Sequence, residues 1–243
     1  MAVPSSPLRL APEDLESIIE RALEEARNSF ALLKSSSGSL TAAEREKADA
    51  VLARREQLLA RIEAGAGEAP QGLKIRIHGD YHLGQVLLTR NDFVIIDFEG
   101  EPGLSLDKRR AKQSPLRDVA GMLRSFGYVQ LSALASVTHD ETEHAKLAPL
   151  ARAWEAEVRD AFVAAYVAAL AGAAASGAAT PGATAPGATA APAIAVGALR
   201  AGQGLLGMFE LEKALYELRY ELGSRPGWAG IPLQGILDSS NNS

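Results

Sequence analysis

A short stretch of the chain combines residue types that phosphoryl transfer requires. His78-Gly-Asp80 is followed five residues later by the amide Gln85, and Asp97 ends an apolar run further along. In phosphoryl transfer, one carboxylate orients the attacking hydroxyl and accepts its proton. A second carboxylate and an amide oxygen hold Mg²⁺ against the phosphates. A β-hairpin would bring Asp80, Gln85 and Asp97 to one rim, so these three residues are the first candidates for a catalytic site.

The same stretch permits a second chemistry. His78, Asp80 and His82 alternate as His-x-Asp-x-His. Side chains at alternate positions of a strand share one face, where these three could bind a metal ion together with Asp97. The alternative function is therefore a metal-dependent hydrolase. Two glycines within the stretch argue against a regular strand, so we favour phosphoryl transfer.

Two amphipathic helices are predicted ahead of this stretch. Residues 12–34 carry one apolar stripe, and Pro12 suits the first helical position. Thr41 and Glu44 form a capping box that opens a second helix, which Gly65-Ala-Gly67 ends. These helices would precede the catalytic hairpin in the order of elements.

The periodicity then changes to that of strands. Residues 73–77 alternate apolar and basic side chains, residues 85–89 form a short apolar stretch, and residues 93–96 form a fully apolar strand. Asn91-Asp92 is a turn. We expect a small β-hairpin or sheet between the helices.

Helices resume after the sheet and are interrupted once. They are predicted over residues 116–126, 154–170 and 198 to about 222. Pro-Gly-Ala-Thr occurs twice in the low-complexity segment 171–197, which we expect to be a linker or surface insertion. The tail from Asp238 is expected to fray. We therefore divide the chain into residues 1–170, 171–197 and 198–237.

Composition and charge exclude several classes of protein. The 243 residues include no cysteine, so disulfides, thiolate zinc sites and iron–sulfur clusters are excluded. The net charge is -5, which argues against a basic nucleic-acid-binding protein. The N-terminus lacks the pattern of a secretory signal, and no run is apolar enough to span a membrane. We expect a cytoplasmic protein that binds neither nucleic acid nor membrane.

Two sets of motifs resemble known kinases. His-Gly-Asp-x-His-x-x-Gln followed by Ile-Asp-Phe-Glu resembles the aminoglycoside-phosphotransferase-like branch of the protein-kinase-like superfamily. Longer blocks look like the bacterial maltokinases. These blocks are residues 96–102, Arg109-Arg110, residues 114–126, residues 212–222, residues 225–228 and residues 231–233. The resemblance covers about residues 73–128 and 198–237.

The resemblance implies a fold and an activity. The fold class would be α+β, mainly helical, equivalent to the C-terminal lobe of a protein-kinase-like fold with a small catalytic β-hairpin. The activity would be phosphorylation of maltose to maltose 1-phosphate with ATP, in glycogen and trehalose metabolism. Asp80 would be the catalytic base, and Gln85 and Asp97 would bind Mg²⁺. Glu99, which replaces the glycine of the protein-kinase motif, would join the metal shell or face the sugar.

The resemblance also implies a missing partner. These kinases have an N-terminal lobe with a phosphate-covering loop, a strand lysine and a paired glutamate, and no such pattern precedes residue 73. We therefore expect the chain to supply a C-terminal lobe that works with a separate kinase N-lobe or a trehalose synthase domain. The alternative is a catalytically silent kinase-like module.

Three further residues have predicted supporting roles near the catalytic stretch. Asp118, at a helix start, is expected to accept hydrogen bonds from the catalytic-loop backbone. His78 is expected to be buried and to bond the loop backbone rather than to act as an acid or base. His82 is the third residue to which we assign a supporting role.

Three others are candidates for substrate contact. Arg109 and Arg110 belong to a basic cluster that would attract phosphates, although a solvated charge run is an equal alternative. Trp228, in an Arg-Pro-Gly-Trp loop, is the better candidate for a sugar-stacking platform, because Tyr216 and Tyr220 have the spacing of packing residues on a helix.

Overall fold

A computed structural model describes residues 8–65, 72–101, 103–138, 140–175 and 204–241. The helices are α1 (Pro12–Ser36), α2 (Ala42–Ala53), α3 (Arg55–Ala64), α4 (Leu106–Arg110), α5 (Leu116–Val137), α6 (Glu141–Ala175), α7 (Gly204–Ser224) and α8 (Gly230–Asn241). The strands are β1 (Leu8–Arg9), β2 (Leu73–Lys74), β3 (Val86–Thr89) and β4 (Asp92–Ile95). Within these ranges, no helix has both the length and the apolar character needed to cross a bilayer.

Helix α1 begins where the sequence supplies a proline followed by acidic side chains. Pro12 lies in the first turn, and the Asp14 carboxylate accepts the Ala11 backbone N–H at 2.8 Å. Asp14 also accepts a hydrogen bond from Lys74 at 2.7 Å, and this bond lowers the pKa of Asp14. The ion pair ties the start of α1 to β2, just ahead of the candidate catalytic residues.

The capping box predicted at Thr41 is present. Thr41 Oγ1 accepts the Glu44 N–H at 3.3 Å, and Glu44 Oε2 accepts the Thr41 N–H at 2.9 Å. The prediction of one continuous helix up to Gly65 is wrong, because the helix breaks at Arg54, where φ is -95 and ψ is 9. The break separates α2 from α3 and lets the apolar residues of both segments reach the core.

The core lies between α1, α5, α7 and α8, and α7 packs against the other three. Leu211, Leu215 and Leu218 of α7 are fully buried, and burial of each such side chain contributes about 1.5–3 kcal/mol. The buried Ser29 hydroxyl of α1 also donates to the Leu215 carbonyl at 3.1 Å. This packing fixes α7, whose more polar face borders the site described below.

The strands form two separate antiparallel pairs, β1 with β2 and β3 with β4. The strand predicted over residues 73–77 is therefore shorter than expected, and it pairs with Leu8–Arg9 rather than with the hairpin. Beyond it, Ile75 bonds Gln113 through a single bridge. The chain then leaves the strand, and the Ile77 side chain is buried in the interior.

The β3–β4 hairpin is present as predicted, but it lies on the surface. Val86 pairs with Ile95 and Thr89 pairs with Asp92, so residues 90–91 form the turn. The exposed fractions of Leu88 and Phe93 are 73% and 67%. A continuous apolar run usually indicates a strand that is covered on both faces. Here the run correctly predicts a strand, but the strand is exposed rather than covered.

Helical structure extends further than the sequence pattern indicates. Helix α5 continues to Val137, and α6 begins at Glu141 rather than near residue 154. The tail expected to fray from Asp238 is helical to Asn241. Helix α8 forms because Leu233 and Ile236 are fully buried against the core. The predicted insertion at 171–197 falls mostly outside the described residues.

Candidate active site

His78 anchors the catalytic loop, residues 78–85. Its ring is buried, its Nε2 lies 2.7 Å from the Ile96 carbonyl oxygen, and its Nδ1 accepts the Asp80 backbone N–H at 3.3 Å. An imidazole that accepts at Nδ1 and donates from Nε2 is neutral. His78 therefore links the catalytic loop to the end of the hairpin, in the buried environment that the sequence predicts for it.

Asp118, in the first turn of α5, holds the same loop from the other side. Its Oδ2 accepts the His78 N–H at 2.7 Å, and its Oδ1 accepts the Gly79 N–H at 2.9 Å. Burial raises the pKa of Asp118, while the two N–H bonds act in the opposite direction. Both carboxylate oxygens are used by the loop backbone, which is the geometry of a positioning residue.

Glycines allow the backbones around this loop to approach closely. A Cβ on Gly79 would lie 3.5 Å from the Gly100 Cα, and a Cβ on Gly100 would lie 3.3 Å from the His78 carbonyl oxygen. Both glycines have positive φ, +86 for Gly79 and +76 for Gly100, which other residues rarely adopt. The catalytic loop therefore lies directly against the segment that follows Asp97.

Gln85 and Asp97 meet at the base of the hairpin. Gln85 Nε2 donates to Asp97 Oδ2 at 3.1 Å. Asp97 has a φ of 62, a strained value for a non-glycine residue that is typical of functional sites. A carboxylate and an amide oxygen are ligands that Mg²⁺ accepts, and rotation of the amide would present its oxygen instead of its nitrogen. The oxygen atoms of these two side chains are therefore of a type that fits a magnesium ion.

Asp80 lies between two basic side chains. Its Oδ1 is 3.2 Å from Lys213 Nζ, and its Oδ2 is 3.9 Å from His82 Nε2. Lys213 belongs to α7, and its ammonium also lies 4.9 Å from the centre of the Tyr216 ring. The packing of α7 therefore places a cation and an aromatic ring beside the candidate base.

Asp80 borders a cavity of about 600 Å³ between α1, the catalytic loop, the segment after Asp97 and α7. Its acidic lining residues are Glu24, Glu25, Asp80, Glu101, Asp118 and Glu212. Its basic lining residues are Arg21, Arg109, Arg117, Lys213 and Arg219. Tyr81, Phe209, Tyr216 and Tyr220 add aromatic surface. The volume falls in the range of small-molecule sites, and the lining suits a polar ligand.

Two ion pairs reinforce the cavity wall. Arg219 of α7 lies 2.9 Å from Glu25 of α1, and Arg117 of α5 lies 3.0 Å from Glu212 of α7. Burial raises the pKa of Glu25, and Arg219 partly opposes that effect. Each pair joins two different helices and so connects the cavity wall to the core. Within each pair, the arginine neutralises the charge of the carboxylate.

Glu101 has a different environment within the same cavity. Its interaction with the Tyr216 side chain adds to burial in raising the pKa of Tyr216. Among the residues that the structure describes, no lysine, arginine or histidine nitrogen lies within 4.0 Å of the Glu101 carboxylate. Its charge is therefore not neutralised by an ion pair there.

Of the residues predicted to contact substrate, one lines the cavity and the others do not. Arg109 lines the cavity, donates to the Glu99 carbonyl at 3.3 Å and has a buried Nε without a hydrogen-bond partner among the described residues. The described lining includes neither Arg110 nor Glu99, both of which are exposed. Trp228 also lies outside that lining, and its ring stacks on Tyr128 with an interplanar angle of 9°.

The described ranges contain no group of three His, Asp or Glu side chains that could hold a metal ion. Both ring nitrogens of His78 are bonded to the backbone, and His82 Nδ1 accepts the Gly84 N–H at 3.0 Å. The His-x-Asp-x-His side chains therefore do not converge on one point. This geometry disfavours the alternative of a metal-dependent hydrolase.

Comparisons with known proteins point to the phosphotransferases. Residues 8–100, which include Asp80, Gln85 and Asp97, match the model of the phosphotransferase enzyme family, APH. The chain is 35% identical to the glucosamine kinase of Streptacidiphilus jiangxiensis over 133 residues, 55% of this chain and 28% of that protein. It is 35% identical to the glucosamine kinase of Mycolicibacterium smegmatis over 153 residues, 63% of this chain and 34% of that protein.

Solved structures of glucosamine kinase share the fold. Two crystal forms match with a TM-score of 0.66 and 24% identity, over 96% of this chain and 48% of theirs. The chain has a kinase-like fold. A complex with glucosamine, ADP and inorganic phosphate matches with a TM-score of 0.62 and 22% identity, over 96% of this chain and 46% of that one. The predicted kinase-like fold class is confirmed, and the assignment to a C-terminal lobe stays a prediction.

The chain thus spans about half the length of these kinase structures and about a third of the curated relatives that it matches. Sequence reasoning missed the part of the cavity wall formed by Glu101, Glu212 and Lys213, and it assigned Tyr216, which also lines the cavity, to packing. Only one signal in the sequence pointed to it. Glu101 follows Glu99 in the same acidic segment, directly after a glycine.

Proposed function

We propose that this chain provides the catalytic and acceptor-binding part of an ATP-dependent sugar kinase. The observation that carries the proposal is the placement of Asp80 on the wall of a polar cavity, on the same loop as Gln85, whose side chain bonds Asp97. The family match over residues 8–100 and the glucosamine kinase relatives support the same activity. We also propose that ATP binding requires a further part of the molecule, in addition to this chain.

The reaction assigns one step to Asp80. Its carboxylate accepts the proton of a sugar hydroxyl as the hydroxyl oxygen forms a bond to the γ-phosphorus of ATP. The bond between that phosphorus and the β–γ bridging oxygen breaks, and ADP leaves. Lys213 donates a hydrogen bond to the carboxylate and holds it for this role, and His82 lies 3.9 Å away on its other side. Positioning and electrostatic stabilisation are the main sources of acceleration in such chemistry.

Gln85 and Asp97 would hold Mg²⁺. When bound, the ion would neutralise charge on the β- and γ-phosphates. The strained φ of Asp97 turns the chain between the hairpin and the segment that leads to Glu101. The ligand pair lies at the base of the hairpin, and neither residue belongs to the described lining of the cavity. Arg109, with its buried Nε, would donate to an oxygen of the substrate.

For the acceptor we propose glucosamine, with maltose as the alternative. The maltokinase resemblance of the motifs implies maltose, whereas the two curated relatives named above are glucosamine kinases. The cavity also holds carboxylates that suit a cationic sugar. The association with a trehalose synthase rests on the sequence resemblance alone.

A phosphorylation assay tests the proposal. The purified chain would be incubated with Mg²⁺, ATP and either glucosamine or maltose, and the sugar phosphate would be identified by ³¹P NMR. Asp80→Asn and Asp97→Asn should each reduce turnover by about 10²- to 10⁴-fold, the usual contribution of a positioned acid–base or charged catalytic group. Asp107→Asn, an exposed aspartate of α4, serves as the control.

The outcomes separate the candidate functions. Activity of Asp80→Asn within tenfold of the parent chain would refute the role of Asp80. A maltose phosphate without a glucosamine phosphate would restore the maltokinase assignment. If neither sugar is phosphorylated and ATP does not bind, the silent kinase-like module becomes the better explanation.

A further inference from the structure

The outer face of helix α6 is more apolar than the exposed face of a helix usually is. A helix on a protein surface normally carries charged or polar side chains on the side away from the core. The inner side of α6 carries Val158, Phe162 and Tyr166, which pack against the core next to α5. Residues 161–172 contain no charged residue, and the exposed residues among them are alanines and one glycine. Over this length α6 has the composition of a helix that is covered on both sides.

Large apolar side chains extend this face toward the start of α6. Leu150 is 67% exposed and Trp154 is 43% exposed. Because a helix has 3.6 residues per turn, residues that are four, seven or eleven positions apart project from nearly the same side. Exposed residues with these spacings form one line, which we call the outer stripe of α6: Leu150, Trp154, Glu157, Ala161, Ala165, Ala168 and Gly172.

The outer stripe is symmetric in spacing and asymmetric in size. Counted from Ala161, its members lie four, seven and eleven positions away in both directions. The three members before Ala161 are large, whereas the three after it are small. A second α6 that runs antiparallel, with a twofold axis at Ala161, therefore places Trp154 of each chain opposite Ala168 of the other. Large side chains that face small ones fill an interface without clashes.

The same arrangement brings no like charges together. Glu157 is the charged member of the outer stripe, and the antiparallel register places it opposite Ala165. A parallel pair of α6 helices would instead place Glu157 beside Glu157 and Trp154 beside Trp154. Like charges that face each other across an interface oppose association. Size and charge along the stripe thus both favour an antiparallel copy of the same helix.

From this complementarity we propose that the outer stripe of α6 is an interface for a second copy of this chain, with the two α6 helices antiparallel about a twofold axis near Ala161. A twofold interface uses the same surface on both chains, so that surface must be complementary to itself. The stripe extends about 33 Å along the helix. It contributes no residue to the described lining of the cavity, so the proposal goes beyond the proposed function and does not depend on it.

Sedimentation equilibrium over a range of protein concentrations tests this proposal. We expect the purified chain to associate reversibly into a species of twice the monomer mass. Ala168→Glu should weaken that association by about tenfold or more, because it places an unpaired carboxylate against Trp154 of the other chain. Trp154→Lys should weaken it by a similar factor. Ala156→Glu is the matched control, since Ala156 is exposed and lies about 140° around the helix from Ala161.

A mixture of the two weakened variants tests the antiparallel register. In a mixed pair, the introduced lysine of one chain faces the introduced glutamate of the other, while the second contact keeps the native Trp154 and Ala168. Equal amounts of Ala168→Glu and Trp154→Lys should therefore associate about tenfold more tightly than either variant does with itself. Rescue of this kind is not expected from a chain that has lost its fold, and circular dichroism of each variant measures the helix content directly.

Three results would overturn the proposal. A parent chain that is monomeric at every concentration would show that no second copy covers the outer stripe, and another part of the protein would become the candidate. An association that Ala168→Glu leaves unchanged would arise from another surface, such as the exposed β3–β4 hairpin. A mixture that associates no more tightly than its two components would contradict the antiparallel pairing of Trp154 with Ala168.

Discussion

At the scale of single residues, Asp118 determines the shape of the catalytic loop through two short hydrogen bonds. A carboxylate accepts at both oxygens, whereas an asparagine amide offers one acceptor and turns an N–H donor toward the other backbone N–H. We therefore expect Asp118→Asn to leave the N–H of His78 or of Gly79 unsatisfied, at a cost of about 1–3 kcal/mol. Amide hydrogen exchange measured by NMR should accelerate at least tenfold at one of these two positions.

The matched control for this change is Asp160→Asn, an exposed aspartate of α6. It should alter neither exchange rates in the loop nor the free energy of unfolding. If the His78 and Gly79 amides exchange at the parent rate in Asp118→Asn, the carboxylate is not what holds the loop. Loss of sugar phosphorylation without faster exchange would indicate direct contact of Asp118 with substrate.

Candidate site residues that are marked by local spacing could be selected from the sequence, whereas those brought in by tertiary packing could not. His78, Asp80 and Asp118 were selected as candidates because their spacing relative to a strand and a helix start is itself informative. Lys213 lies 3.2 Å from Asp80, yet it is 133 residues away along the chain. The helical periodicity of the α7 sequence identifies the apolar face of this helix, but it does not reveal which loop the polar face contacts.

At the scale of elements, α5 must approach the catalytic loop closely, and Gly121 allows this. A Cβ at this position would lie 2.5 Å from the Tyr81 carbonyl oxygen, which is backbone and cannot rotate away. We expect Gly121→Ala to push α5 and the loop apart and to reduce the free energy of unfolding by about 1–3 kcal/mol. Urea unfolding measures this cost, and a displaced Tyr81 should also change the NMR shifts of Asp80.

Gly127 of the same helix provides the control. A Cβ there would meet Glu155 Oε1 at 2.9 Å, and this atom is the end of a flexible side chain. Alanine also favours a helix interior over glycine by about 0.5–1 kcal/mol. Gly127→Ala should therefore be close to neutral. Equal destabilisation by both substitutions would show that helix α5 tolerates neither Cβ and that contact with the loop is not the cause.

The elements themselves were predicted where capping and periodicity are local. The box of Thr41 and Glu44 marks the start of α2 correctly. The break at Arg54 and the formation of α8 were not predicted, because both depend on which apolar side chains the core accepts. The hairpin was predicted from its turn and its apolar runs. The exposure of the hairpin could not be predicted, because the sequence does not reveal what covers a strand.

At the scale of the whole molecule, groups with opposite pKa shifts predict how stability depends on pH. Burial raises the pKa of Glu25 above 4.5, and also raises that of Glu155. The folded chain therefore binds protons at these sites more tightly than the unfolded chain does. Their contribution to stability is fully present below pH 4.5 and is lost as the pH rises through the folded pKa values. Asp14 behaves oppositely, because its pKa lies below 3.8.

We therefore expect these groups to increase the free energy of unfolding as the pH falls from 7 toward about 4.5, and Asp14 to reduce it as the pH falls below 3.8. Urea unfolding at closely spaced pH values measures the profile. Glu25→Gln should flatten the rise between pH 7 and 4.5, and Asp14→Asn should flatten only the acid limb. Exposed Glu20→Gln is the control. A Glu25→Gln chain whose profile keeps the parent slope in that range would show that Glu25 is solvated in the folded protein, and that α1 and α7 do not enclose the cavity as closely as the Glu25–Arg219 ion pair implies.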